Sequence, residues 1–149
     1  MLAQFETLNA LLQTRYSCRA FLDRPVAHPD IEKIVEAAQR VPSWCNAQPW
    51  QLILCEGAQT KMLAAALTEA ANEGLQAPEI PFPESYSGKY KHRRSTCGWQ
   101  LYEAVGVAKG DRAASRQQML ENYRFFNAPQ VAILTIPKEL GAYAAVDAG

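Results

Sequence analysis

The chain has 149 residues, 48% of them apolar and 20% charged, and fifteen Lys+Arg balance fifteen Asp+Glu. That is the make-up of one soluble globular domain, and a compact body of this size would bury roughly 68–70% of its unfolded surface. The zero net charge argues against a general nucleic-acid binder, and no run approaches the ~18 apolar residues that a membrane-spanning helix requires.

The N-terminus carries Glu6 and no basic leader, so it reads as a helix and not as a secretion signal. Phe5, Leu8, Leu11 and Leu12 recur at helical spacing and predict a first helix over residues 3–14. Arg15-Tyr16-Ser17-Cys18-Arg19 follows its end. Pro25 and Pro29 bracket a turn, and Pro29 is placed at the first position of a second helix, with Asp30 and Glu32 where negative charge suits the helix dipole. Ile31, Ile34, Val35 and Ala38 make its apolar stripe, which runs on through Arg40 until Pro42 stops it.

Trp50 to Cys55 reads as a short buried strand closed by Gly57. Met62, Leu63, Ala66, Leu67 and Ala70 predict another helix, with Gly74 as its stop. Residues 77–88 hold Pro78, Pro81, Pro83 and Gly88 and read as an irregular excursion, followed by the basic cluster Lys89, Lys91, His92, Arg93 and Arg94. Two helices are predicted over 95–108 and 112–126, with Asp111 capping the second. Pro129 precedes a second strand over 130–136. Residues 143–149 open a further helix with no room to bury a face. Two strands make a sheet that is rarely stable alone, so the expectation is a fragment, or a sheet completed from elsewhere.

Two segments carry chemistry. Arg15, Ser17 and Arg19 gather two guanidinium groups and a hydroxyl within five residues, suited to gripping phosphate and polar ring oxygens. Pro42-Ser43-Trp44-Cys45-Asn46-Ala47-Gln48-Pro49-Trp50 places polar amides beside two indoles, suited to a flat aromatic ligand with polar edges. The plainer reading is a surface turn, with Asn46 and Gln48 satisfying backbone groups and Trp50 in the core. The cysteines at 18, 45, 55 and 97 form no CxxC pair and lie far in sequence from His28 and His92. No metal site is therefore expected, Cys18 and Cys45 are read as packing residues, and reduced thiols point to the cytoplasm. No Ser-His-Asp set or carboxylate pair stands out.

In order and spacing, Arg15 to Phe21, Pro25-Val26, and Pro42 to Trp50 with the strand after it resemble the FMN-dependent nitroreductase family. Asn122 to Pro129 is similar to the segment entering that family's second strand. Residues 75–120 resemble, more loosely, a helical insertion found in a nitrobenzoate-reductase-like subset. The resemblance implies an α+β fold, a mixed sheet flanked by helices, and one domain over 1–149, incomplete at its C-terminus. It also implies a homodimer with FMN at the subunit interface. By the same resemblance Arg15, Tyr16, Ser17 and Arg19 belong to the flavin site, holding phosphate, ribityl chain and pyrimidine edge. Pro42, Ser43, Trp44 and Asn46 would reach in from the partner subunit to line the isoalloxazine ring, and Asn122 would stand near its N5 edge. The family uses further flavin contacts, a glycine-containing turn and a basic C-terminus, that this sequence does not reach.

The implied activity is ping-pong reduction of nitroaromatic or quinone-like acceptors by NADH or NADPH, with the flavin and not a protein group carrying the hydride. Two alternatives stand beside it. One is a related flavin enzyme with another acceptor, or one that consumes its flavin. The other is a non-catalytic fragment whose basic patch at 89–94 binds nucleic acid or an acidic partner. That cluster reads either as a solvated face or as a selector of anionic acceptors or of the donor's phosphates.

Overall fold

The computed structural model describes residues 2–149. Helix α1 spans Leu2–Thr14, α2 His28–Ala38, α3 Ala58–Asn72, α4 Gly88–Ala104, α5 Arg112–Leu120 and α6 Gly141–Asp147. Strands β1 (Gln51–Glu56) and β2 (Gln130–Thr135) pair antiparallel in register from Gln51↔Thr135 to Glu56↔Gln130. The expected α+β architecture is therefore present, helix-rich around a small sheet. Short 3₁₀ turns at Trp44–Asn46 and Phe125–Asn127 lead towards the two strands.

The local signals act as the sequence predicts at several ends. Gly74, at φ +76°, closes α3: its N–H bonds the Ala71 carbonyl and the Leu75 N–H bonds the Ala70 carbonyl. That pair of bonds needs a left-handed residue, which glycine supplies at little cost. Asp111 caps α5, its carboxylate accepting the Ala114 N–H at 2.9 Å.

Several boundaries differ. Helix α4 begins at Gly88 and not at residue 95, so the whole basic cluster lies on its first turns. Lys and Arg are good helix formers, and nothing after Gly88 breaks the helix until Gly106. Helix α5 ends at Leu120 and not at residue 126: residues 121–124 tighten into a turn with i→i−3 bonds, and Phe125, Phe126 and Asn127 then take positive φ. Helix α2 starts at His28, one residue before Pro29, and ends at Ala38, before Arg40.

The strand expected to be buried is not. Leu52 and Ile53 are exposed, and only Leu54 to Glu56 are half-buried. The same holds across the chain. Among the described residues the buried apolar core is Ala71, Leu120 and Ala144, with Thr60 and Pro49 also enclosed. The chain exposes 12536 Å². A compact monomer of this mass exposes about 7,500 Å² and its unfolded chain about 24,000 Å², so only about half of the surface is buried. Helix α1 shows the cause: Leu2, Phe5, Leu8, Leu11 and Leu12 all stand in solvent. No described residue covers that apolar face.

One polar knot ties the α2 entry to the sheet. The Gln130 carboxamide accepts the Val26 N–H at 2.6 Å and donates to the Val26 carbonyl at 3.1 Å. It also donates to the Glu56 carboxylate, which meets His28 Nε2 at 2.9 Å. The end of the sheet thereby holds the chain some seven residues beyond Arg19.

Candidate functional site

Arg15 to Arg19 form the segment that leaves α1, where the helix has ended and no strand has begun. Arg15, Tyr16, Ser17 and Arg19 are exposed, and Cys18 is half-buried. The only side-chain contacts recorded here are local: Arg19 donates to the Ser17 carbonyl at 3.5 Å and the Cys18 thiol to the Ala20 carbonyl at 3.1 Å. Among the described residues neither Arg15 nor Arg19 has a carboxylate partner. Two guanidinium forks with unspent donors, either side of a hydroxyl, are a donor set fitted to an anion and to carbonyl edges.

The segment from Pro42 to Trp50 is a turn of unusual shape. Cys45, Asn46 and Gln48 have φ of 51°, 56° and 46°. Left-handed backbone costs an L-residue roughly 1–2 kcal/mol, least for asparagine, so such a turn persists only when its surroundings hold it. Inside the turn the Ser43 hydroxyl accepts the Gln48 N–H at 2.8 Å, and the Gln48 carboxamide donates to Asn46 Oδ1 at 3.0 Å. These two amide side chains therefore bond each other and not the backbone, contrary to the plainer reading of the sequence. Pro49 is buried and anchors the exit, and Trp50 is half-buried.

Further grip comes from α6. Both carboxylate oxygens of Asp147 accept the Trp44 N–H, at 3.2 and 3.1 Å. The Tyr143 ring stacks on the Trp44 indole at 5.2 Å between centroids and 27° between planes. Nothing in the sequence indicates this, because partners about a hundred residues apart leave no local pattern. Trp44 is otherwise exposed. Cys45 is exposed too, so it does not pack as expected: its left-handed backbone turns it out of the fold.

Asn122 lies in the turn after α5, exposed, its amide donating to the Met119 carbonyl at 2.9 Å. Among the described residues no hydrogen bond, ion pair or ring contact joins Arg15–Arg19 to the Pro42–Trp50 turn, or either of them to Asn122. No such contact links the three groups among the described residues of one chain. A cleft of about 760 Å³ lies elsewhere: Phe21, Glu56, Thr60, Lys61 and Arg124 line it, and none of the nine candidate residues does.

The basic cluster is exposed along α4. Arg94 sits 5.3 Å from the Tyr86 ring centroid and Lys89 5.4 Å from that of Tyr90. No cation of this cluster forms an ion pair among the described residues. That is how a solvated face looks.

Comparison with solved structures defines the class. The chain superposes over its whole length on the FMN-dependent nitroreductase NfnB from Mycobacterium smegmatis in complex with NADPH, with a TM-score of 0.91 and 33% identity, covering 67% of that chain. The FMN and NADPH-dependent NfnB from a Sphingopyxis strain matches over 93% of the present chain at a TM-score of 0.86 and 33% identity, with 64% of its own length covered. The fold is thus the nitroreductase fold. The nitroreductase family model matches residues 12–149, and the chain belongs to that family.

Two curated relatives agree. The nitrobenzene nitroreductase of Ectopseudomonas oleovorans is 34% identical over 137 residues, which are 89% of this chain and 60% of the relative. The 4-nitrobenzoate reductase of Pseudomonas putida is 31% identical over 144 residues, 97% of this chain and 63% of the relative. The chain therefore spans about three fifths of the length of the curated relatives it matches. No helix among the described residues is long and apolar enough to cross a membrane.

Proposed function

We propose that this chain serves an FMN-dependent NAD(P)H oxidoreductase that reduces nitroaromatic acceptors. Its likeness to nitrobenzene and nitrobenzoate reductases, over nearly all of this chain and about three fifths of theirs, supports that reading. The observation that carries it is the donor set: Arg15 and Arg19, exposed and without acidic partners, flank Ser17 at the exit of α1. When bound, FMN supplies the hydride chemistry through its N5 position, which explains why no protein nucleophile or acid–base pair stands out.

The protein's part is to bind, orient and tune. Arg15 and Arg19 neutralise the phosphate and the pyrimidine edge, and Arg19 is assigned the edge. A guanidinium keeps its charge at any working pH and donates in a planar fork, so negative charge near flavin N1 and O2 is stabilised there. Tyr16 and Ser17 complete that side of the site. Pro42, Ser43, Trp44 and Asn46 line the ring plane, and Asn122 is placed near its N5 edge.

The two halves of this site are not joined within one chain, which favours a homodimer in which each site takes Arg15–Arg19 from one protomer and the Pro42–Trp50 turn from its partner. The apolar face of α1 and the unusually large exposed surface fit that arrangement, since obligate interfaces bury 2,000–5,000 Å² or more in total. In the same reading residues 75–120 form the insertion of the nitrobenzoate-reductase-like subset, and the location is cytoplasmic. Donor and acceptor share one place in turn, so kinetics should be ping-pong, with quinones tested beside nitroaromatics as acceptors.

The test is direct. Purified protein should show flavin absorption bands, take up added FMN, and oxidise NADH or NADPH in the presence of 4-nitrobenzoate. A colourless protein that ignores FMN and binds RNA or DNA in a salt-sensitive way would point to the basic patch instead.

A further inference from the structure

We propose that Asp147 and Tyr143 are positioning residues that hold the Pro42–Trp50 turn in the shape flavin binding uses. The inference rests on the reading of that turn as part of an FMN site. It starts from a backbone group. Trp44 opens a 3₁₀ turn, and the leading N–H groups of any helical turn have no partner inside it. Here the Trp44 N–H points at a carboxylate whose two oxygens both lie within 3.2 Å. A bond to an ionised acceptor is about twice as strong as one between neutral groups. Asp147 is half-buried and forms no ion pair among the described residues, so this contact is its use.

The second hold is on the side chain of the same residue. Tyr143 and Asp147 stand four residues apart on α6 and so share a face of that helix. One stacks on the Trp44 indole while the other takes its N–H. Ala144, 1% exposed, seats the helix beside them. Trp44 is thus fixed at two points by one rigid element.

The need for such a clamp follows from the residues after Trp44. Three left-handed positions without a glycine make a shape the segment would not keep alone. The Ser43–Gln48 and Gln48–Asn46 bonds close the turn on itself, but they do not orient it in the molecule. The α6 clamp does. Neither Asp147 nor Tyr143 need touch the flavin; they act through Trp44, Ser43 and Asn46.

The experiment titrates FMN into flavin-free full-chain protein and follows the quenching of flavin fluorescence for wild type, D147A, D147N, Y143A and R19A. D147A should weaken FMN binding about 5- to 30-fold and Y143A about 2- to 10-fold, each no more than the worth of the charge-assisted hydrogen bond or aromatic pair it removes. D147N keeps an oxygen acceptor and should recover most of the loss. In the flavin-free state both alanine variants should also change the near-ultraviolet circular dichroism of tryptophan, while far-ultraviolet signal is kept. Unchanged FMN affinity in D147A and Y143A, with R19A weakened, overturns the clamp and leaves the flavin site standing. Unchanged affinity in R19A as well overturns the site reading itself. Where D147A yields no folded protein, Y143A, which leaves the hydrogen bond intact, decides the matter. A D147N protein as weak as D147A also counts against the inference.

Discussion

The two strands of this chain are each preceded by a left-handed turn, and the two turns are held in different ways. Before β2, Phe125, Phe126 and Asn127 take φ of 55°, 51° and 61°. Their support is local: the Phe125 N–H bonds the Asn122 carbonyl, Phe126 that of Glu121, Asn127 that of Arg124 and Ala128 that of Phe125. One longer contact helps, the Thr60 hydroxyl donating to the Pro129 carbonyl at 3.2 Å. Both phenylalanines are half-buried. Before β1, the Pro42–Trp50 turn is closed by its own side chains but anchored by α6, about a hundred residues away. A turn that packs its own side chains carries its own stability. A turn whose side chains stay largely exposed has to be held by something else.

Five changes would break or sharpen that contrast. The largest effect belongs to Arg19→Ala, which touches neither turn and sets the scale for both. It should weaken FMN binding about 10- to 100-fold, as expected for a lost hydrogen bond to a charged group, with no change in the melting temperature of flavin-free protein. Next, Thr60→Val leaves the Pro129 carbonyl without its donor and should cost about 1–3 kcal/mol in a denaturant titration. The contrast fails if FMN affinity drops in this variant as far as in Arg19→Ala.

Phe126→Gly and Cys45→Gly form a matched pair, since each places glycine at a left-handed position. Cys45 is exposed, so relief of strain should leave stability equal or higher, by up to about 1 kcal/mol. Phe126 is half-buried, and its loss of packing should outweigh that relief, giving net destabilisation. Equal responses in thermal melts would show that the two turns are held alike. The smallest effect is Asp111→Ala, which removes the α5 cap and should cost about 1 kcal/mol while FMN affinity stays at the wild-type value.

Much of the local structure can be read from residue patterns. The Leu-rich stripe of α1, the Gly74 stop and the Asp111 cap are short-range effects, and each appears where its pattern places it. Helix α4 was harder, because the charged run Lys89–Arg94 looks like solvent-facing coil while its residues favour helix. The candidate site residues come from the family resemblance that their order and spacing carry, and that resemblance does not give their mutual placement within this chain. No hydrogen bond, ion pair or ring contact joins Arg15–Arg19 to the Ser43–Asn46 segment among the described residues, and nothing local in the sequence says whether the two meet. The burial expected of β1 failed for a related reason: apolar content states a need for cover, not its source.

From its residues alone this protein has its helices and strands, their stops and caps, and the donor set at 15–19, because those depend on neighbours a few positions apart. Tertiary structure alone decided that Asp147 and Tyr143 close on Trp44, and that Leu52, Ile53 and the α1 leucines stay uncovered within this chain. Contacts across a hundred residues are set by how whole elements pack, and that packing leaves no period or spacing in the sequence to read.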